Sequence, residues 1–524
     1  MKVCVIGTGQ AGLAAVEALV EHGLKPVILD AGERLDGRIA ARAEALAATD
    51  PAAWDRQAAP FPPAAGSDRG GLPRKTVFGS AFVFAQDRSP EPIHQSGADA
   101  ALSLAAGGFS LAWGGAVLPA RDEDLDAWPA AARPGAEDYA GAMKSLPLVG
   151  DGGDDLADLF PSHAPHMRPL APTPQGQALC DALGRRRAAL NRGDARVVAG
   201  RARLAVDAPA CRRCGLCLTG CPFGAIHRLD TTLDRLRDAG RVEYRGRAYV
   251  TRVEETGDGV RVSWHHLDRG GREHATFDRV FLAAGTLGTT RIMLRSMAAF
   301  GRPVTLLDSA KFALPLIALR GRPLAWPDAP TLADLFIEAR QPRLSPRWIH
   351  VQVSPLNDML VERLRLGRGL SLNLAGRLAG PLLARTMVAW CSLHSDLSTA
   401  CRAVLTDGSD RGVLEIRAAE DRSAAAVRAH GWWLVRLGLR AGFAALPFAA
   451  LTSTPGSTGH CGGTLPMRDR PSGALETDTL GRPAGWQATH LIDASVFPSI
   501  PATTVALLIR ANARRIVRQA AALP

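Results

Sequence analysis

The chain has 524 residues, 47% of them hydrophobic and 22% charged, with a formal net charge of +11. That length predicts two or three domains rather than one core, and the composition excludes a disordered or fibrous chain. The basic excess argues against nucleic acid: of 62 basic residues only five are lysines, the arginines are spread along the whole chain, and no basic block with interleaved aromatics occurs.

The first thirty residues form a complete unit. "KVCVIG" is a continuous apolar run, as expected of a strand buried on both faces of a parallel sheet. "GTGQAG" places Gly7, Gly9 and Gly12 in a G-x-G-x-x-G pattern, and "LAAVEALVEHG" has helical apolar spacing that stops at Gly23. "PVILD" is the next strand and ends on Asp30. In such a unit the first glycine permits the tight turn, the second lets a pyrophosphate approach the backbone, and the third lets helix and strand pack closely. The helix N-terminus then faces the phosphates. Asp30 stands where an acid accepts a hydrogen bond from an adenosine ribose hydroxyl, which argues against NADP and leaves FAD and NAD. A strand opening this early leaves no room for a charged and apolar leader, so a cytoplasmic location is expected.

Farther along, "CRRCGLCLTGCPFGAIH" sets Cys211, Cys214, Cys217 and Cys221 in C-x2-C-x2-C-x3-C-P spacing. Bacterial ferredoxins hold an iron–sulfur cluster on this run. Structural zinc sites draw two short knuckles across a longer loop, so four thiols in one tight run favour iron–sulfur over zinc. The other five cysteines are scattered, which suits reduced thiols. "RWIHVQVSP" and "MVAWCSLHSDLS" alternate as strands; His394 in the second reads as a core or edge histidine and is a secondary candidate. "WWLVRLGLRAGFAALPFAAL" (Trp432–Leu451) predicts an amphipathic helix, and its Arg436, Arg440 and Pro447 argue against a bilayer span.

Four further stretches carry a family resemblance. They are "AAGGFSLAWGGAV" (Ala105–Val117) with "RDEDLDAWP" after it, "DRVFLAAGTLGTTRIML" (Asp278–Leu294), "TGHCGGTLPM" (Thr458–Met467) and "HLIDASVFPSIPATTVALLIRANARRI" (His490–Ile516). In this order they resemble segments of the glucose–methanol–choline (GMC) flavin oxidoreductases, at both ends of the chain. The resemblance implies an α/β chain, α+β overall. A Rossmann-like FAD-binding domain would take residues 1–300 and 455–524, with an iron–sulfur insertion at 205–230, and a discontinuous antiparallel-sheet substrate domain would take 301–454.

The resemblance also implies FAD, bound by Gly7, Gly9, Gly12 and Asp30. Gly108, Ser110, Trp113, Gly114 and Gly115 would line the flavin's central face, and Ala284, Gly285 and Asp493 would complete the site. His460 occupies the place of the family's catalytic histidine, a residue suited to taking a hydroxyl proton near neutral pH. The usual second catalytic histidine or asparagine is replaced by Thr504, whose hydroxyl cannot act as a base there. The residue next to His460, Cys461, reads as a small buried residue.

The ferredoxin spacing inclines the cluster to [4Fe–4S]. A subgroup of GMC sugar dehydrogenases holds a [3Fe–4S] cluster on C-x5-C-x3-C, which Cys211, Cys217 and Cys221 reproduce. Oxidases of the family need no cluster. The expectation is therefore a dehydrogenase oxidising an alcohol or sugar CH–OH group by hydride transfer to flavin. Its electrons would leave through the cluster to a cytochrome or ferredoxin-like acceptor. Two alternatives stay open: a lyase or isomerase of the family, and an electron-transfer flavoprotein subunit without an alcohol substrate. The sequence names no substrate, and Arg340, Arg343 and Arg347 are expected on the surface.

Overall fold

Residues 1–54, 71–72, 74–84, 88–160, 167–319, 331–356, 381–382, 384–409, 412–447 and 450–521 are described in the computed structural model. Val3–Ile6 forms β1, with all four residues buried because the strand lies mid-sheet. It runs parallel to β2 (Val27–Leu29) on one side and to Arg279–Leu282 on the other. Thr489–Leu491 adds outside Arg279–Leu282, and Glu243–Arg245 outside β2, so five parallel strands draw segments from both ends of the chain into one sheet.

The period of two in β1 sorts its side chains between two cores. Val3 and Val5 pack with Leu13 and Val16 of α1 (Gln10–Glu21) and with Ile516 and Val517 of the last helix, Val505–Ala521. Cys4 and Ile6 point the other way, toward Val253, Val262 and Trp264 of a three-stranded antiparallel sheet spanning Ala248–Phe277. The first helix ends at Glu21, and Gly23 turns the chain with φ +78°.

The second large sheet is antiparallel. From one edge its strands are Phe443–Ala445, Lys311–Ala318, Thr386–Ser392, Ile349–Pro355, Leu335–Arg340 and Arg196–Arg201, with Leu451–Thr452 also pairing to Lys311–Ala318. One face is apolar: Phe312, Leu314, Val351 and Met387 pack beneath Trp433 and Leu437 of the helix Ser423–Ala441. Alternation sends Lys311, Ser392, His350 and Glu338 to the opposite face. These four are direct register partners across four adjacent strands, a polar row in an otherwise hydrophobic sheet.

The helix expected over Trp432–Leu451 is corrected in both bounds. It begins at Ser423 and stops at Ala441, where Gly442 takes φ +85° and the chain enters the strand Phe443–Ala445. The apolar run simply continues from helix into strand, and hydrophobicity alone does not mark the change.

Candidate functional site

The glycine turn after β1 is fixed by packing. Gly7 has φ +97°, and a Cβ there would overlap the Ala283 carbonyl oxygen; at Gly12 a Cβ would overlap the Gly7 carbonyl oxygen. Gly9 differs. A Cβ on it would meet nothing within 4 Å, and it caps α1 with no side chain covering the helix N-terminus. The turn therefore opens onto free space at the point where free backbone N–H groups gather.

Asp30, at the end of β2, is buried and accepts from Thr8 Oγ1 at 2.7 Å and from the Tyr244 hydroxyl at 3.4 Å. Burial pushes its carboxyl up to about 6, against the lowering effect of these two bonds. Thr8 Oγ1 in turn accepts from Gly107 N at 2.9 Å, which ties the first turn to the glycine-rich segment. A Cβ on Gly108 would lie 3.4 Å from Gly9 Cα, so the two backbones face each other. Ser110 Oγ donates to Gly107 O at 2.7 Å and accepts from Leu229 N at 3.1 Å, and Trp113 Nε1 donates to His227 O at 2.7 Å.

Across the crevice, Ala284 precedes the helix Gly285–Ser296, and Gly285 (φ +75°) also has open space where a Cβ would stand. Asp493 is buried, accepting from Thr289 Oγ1 at 2.5 Å and Ser495 N at 3.0 Å; burial raises its carboxyl above the ordinary range. The sheet thus brings Gly7, Gly9, Asp30, Ala284 and Gly285 to the carboxyl ends of adjacent parallel strands, where α/β folds bind ligands. These glycine-lined openings fit a dinucleotide such as FAD.

The loop bearing His460 is laid against this crevice. Cys461 O accepts from Thr286 Oγ1 at 2.8 Å, while Leu307 and Gly462 exchange backbone bonds of 2.8 and 3.0 Å. Asp308 holds the loop from below. It accepts from Gly456 N at 2.7 Å, from Ser309 N at 3.0 Å and from Thr458 Oγ1, and Cys461 Sγ points at it from 3.5 Å. His460 itself is half-buried, and its Nδ1 is buried without a hydrogen-bond partner. Burial, then the charges of Lys311 and His350, hold the imidazole well below its usual pKa. It is neutral over the physiological range.

Thr504 is not joined to His460. Its Oγ1 accepts from Leu118 N at 2.9 Å, just before the last helix. His394 is a buried structural residue, pairing with Asp396 at 3.4 Å and accepting from Asp396 N at 3.2 Å. Arg340 and Arg347 are taken up in ion pairs with Glu123 and with Asp126 and Asp396.

Sequence reading passed over the polar row. His350 Nδ1 lies 2.5 Å from Glu338 Oε1, and Arg121 pairs with the other Glu338 oxygen at 2.5 Å and with Asp124 at 2.8 Å. Burial favours the neutral Glu338 carboxyl, but His350 and Arg121 outweigh it and hold the group below its usual range. At the other end of the row Lys311 Nζ donates to Thr458 O at 3.0 Å. The alternation in "RWIHVQVSP" announced two faces; nothing local announced which one meets His460.

The cysteine run folds back on itself through Arg213, Gly215 and Gly220, all with positive φ. Its four thiols are electrostatic neighbours: burial pushes Cys214 up to about 12, and the proximity of Cys217, Cys221 and Cys211 adds to this. Leu218 packs with Ala313 and Val388 on the polar-row face of the antiparallel sheet. A narrow cavity between the run and the glycine-rich segment is lined by Lys75, Ser110, Trp113, Cys217, Cys221 and Arg228. Among the described residues no three His, Cys, Asp or Glu side chains converge as a metal-ion site, so the arrangement of the four thiols does not itself support a cluster. Among the described residues, too, no helix is long and apolar enough to cross a membrane.

The chain is similar in structure to pyridoxine 4-oxidase from Mesorbium loti, a crystal structure matched with a TM-score of 0.60 and 16% identity, over 99% of this chain and 98% of that one. No protein-family model and no curated protein sequence matches the chain. The likeness is one of fold alone: a mixed α/β chain with several sheets.

Proposed function

We propose that the chain is an FAD-dependent dehydrogenase that oxidises an alcohol or sugar CH–OH group by hydride transfer to flavin, and that its electrons leave through an iron–sulfur cluster to a protein acceptor. What carries this reading is His460: a neutral imidazole with a free buried nitrogen, on a loop bonded through Cys461 to Thr286 beside the glycine crevice.

In this reading Gly7, Gly9, Gly12 and the N-terminus of α1 take the pyrophosphate, and Asp30 takes a ribose hydroxyl. Gly108, Ser110, Trp113, Gly114, Gly115, Ala284, Gly285 and Asp493 hold the rest of the cofactor. Bound FAD supplies a two-electron acceptor, and a cluster on Cys211, Cys214, Cys217 and Cys221 supplies one-electron transfer. His460 takes the substrate hydroxyl proton, a task for which a neutral imidazole is suited at neutral pH. Thr504 holds the Leu118 N–H rather than moving a proton. The division into residues 1–300 with 455–524 and residues 301–454 belongs to the same proposal, as does a cytoplasmic setting.

The test is anaerobic: alcohols, polyols and sugars are added to the purified flavoprotein and its visible absorbance is followed. Bleaching by a CH–OH compound is the expected result; reduction by a protein donor alone contradicts the reading. Iron and acid-labile sulfide counts test the outlet separately, with four of each expected and a zinc-bearing, iron-free protein contradicting it.

A further inference from the structure

The helix Ser423–Ala441 has two unlike faces. Its inner face, with Trp433, Leu437 and Ala441, is buried on the apolar side of the antiparallel sheet. Its outer face carries Trp432 and Leu439, which are 57% and 53% exposed. Seven residues separate the two, so they stand two turns apart along one line of the helix. Arg428 and Arg436 flank Trp432 one turn before and one turn after it, and Arg440 follows; all three are exposed. The helix contains no Asp or Glu.

The apolar exposure continues past the end of the helix. Leu319 N donates to Gly442 O at 3.0 Å, which sets the exposed Leu319 beside the helix C-terminus. Ala318 N donates to Arg385 O at 2.9 Å, and Arg385 N donates to Leu382 O at 3.0 Å. The exposed Leu382 therefore belongs to the same strand ends. Trp432, Leu439, Leu319 and Leu382 are four of the seven large hydrophobic residues exposed among the described residues. A lone exposed apolar side chain is ordinary, whereas several gathered at one place mark a surface that meets something other than water.

Charge selects the occupant. Among the described residues Arg436 and Arg440 form no ion pair with a carboxylate. A second copy docked two-fold on this face would set these arginines against their own equivalents, with no acidic residue of the helix to answer them. An anionic bilayer answers both parts of the face: Trp and Leu enter the interfacial layer, and the arginines meet headgroup phosphates. We infer that the outer face of Ser423–Ala441, with Leu319 and Leu382, is a docking surface for a membrane containing anionic lipid. The helix covers the sheet face opposite the one bearing Lys311, whose Nζ reaches the His460 loop at Thr458 O. Docking therefore turns the candidate site away from the bilayer.

The test is cosedimentation of the full chain with two kinds of vesicle, phosphatidylcholine alone and phosphatidylcholine mixed equally with phosphatidylglycerol. The wild type should bind the mixed vesicles at least about tenfold more tightly than the neutral ones. The double variant Arg436→Gln, Arg440→Gln should bind mixed vesicles about 30-fold more weakly, the loss expected for two arginines at an anionic surface. The double variant Trp432→Ser, Leu439→Ser should lose at least about tenfold on the same vesicles. All four side chains are exposed, so both variants should keep the wild-type Tm and FAD content. No binding of the wild type to mixed vesicles overturns the inference, and so does equal binding by the wild type and either double variant. Equal affinity of the wild type for neutral and mixed vesicles also overturns it.

Should a variant fail to fold, wild-type protein suffices. Its binding to mixed vesicles should weaken at least about tenfold as NaCl rises from ~50 to ~500 mM, because salt screens the headgroup attraction. A flat salt profile contradicts the assignment. Concentration-dependent dimerisation in analytical ultracentrifugation, without vesicle binding, would give the face to a second copy and overturn the membrane.

Discussion

The two sheets build their halves of the site in opposite ways. At the parallel sheet the parts are contiguous: strand, glycine turn, helix and Asp30 follow one another within thirty residues, and what they present is open backbone. At the antiparallel sheet the parts are distant in sequence. Lys311, Glu338, His350 and Ser392 meet only through strand register, and what they present is a polar row. The first half is a cradle defined by missing atoms, and the second is a roof defined by buried charge.

That contrast can be broken most forcefully at the roof. Glu338→Gln removes the buried carboxylate shared by Arg121 and His350 and leaves Arg121 with Asp124 as its remaining ion-pair partner. A loss of about 3–5 kcal/mol in unfolding free energy is expected by denaturant titration. A loss below about 1 kcal/mol would mean the row does not hold the roof together. At the cradle, Gly7→Ala meets both a positive φ and the Ala283 carbonyl, so about 2 kcal/mol or more of stability should go, seen as a lowered Tm. Gly9→Ala, with open space around it, should keep the wild-type Tm of the flavin-free protein while lowering its FAD content. Equal effects of the two would erase the distinction between a packing glycine and a cofactor glycine.

Thr504→Val probes the seam between the halves. It leaves the Leu118 N–H buried and unpaired, at a cost of about 1–3 kcal/mol. The smallest effect concerns pH. Because burial, Lys311 and His350 keep His460 neutral well below its usual pKa, kcat/KM for flavin reduction should stay level as pH falls through 6.5 and decline only far below it. An acid limb centred at 6.5 would place the base elsewhere.

How much of this was legible follows from the same contrast. The cradle could be read because each residue's role depends on near neighbours: Gly7, Gly12 and Asp30 are identified by spacing, and the structure sets Gly7 and Gly12 in the close packing that spacing implied. His460 was reachable through its motif, but Asp308, which fixes its loop, lies 152 residues earlier in an unremarkable stretch. Lys311 and His350 were hidden for a physical reason. Alternation assigns a residue to one of two faces, whereas pairing register across four strands decides what stands beside it. The helix ending at Ala441 was misjudged because an apolar run fits helix and strand equally. The cysteine spacing was plain, yet spacing alone does not bring thiols together: among the described residues no three metal-ligating side chains converge.

The most direct measurement is the anaerobic rate of flavin reduction by a bleaching substrate in His460→Ala, with FAD content verified by absorbance. The account predicts a fall of about 100- to 10,000-fold with FAD retained, since a positioned general base contributes on that scale. Reduction at the wild-type rate would contradict it, leaving His460 a structural residue of its loop.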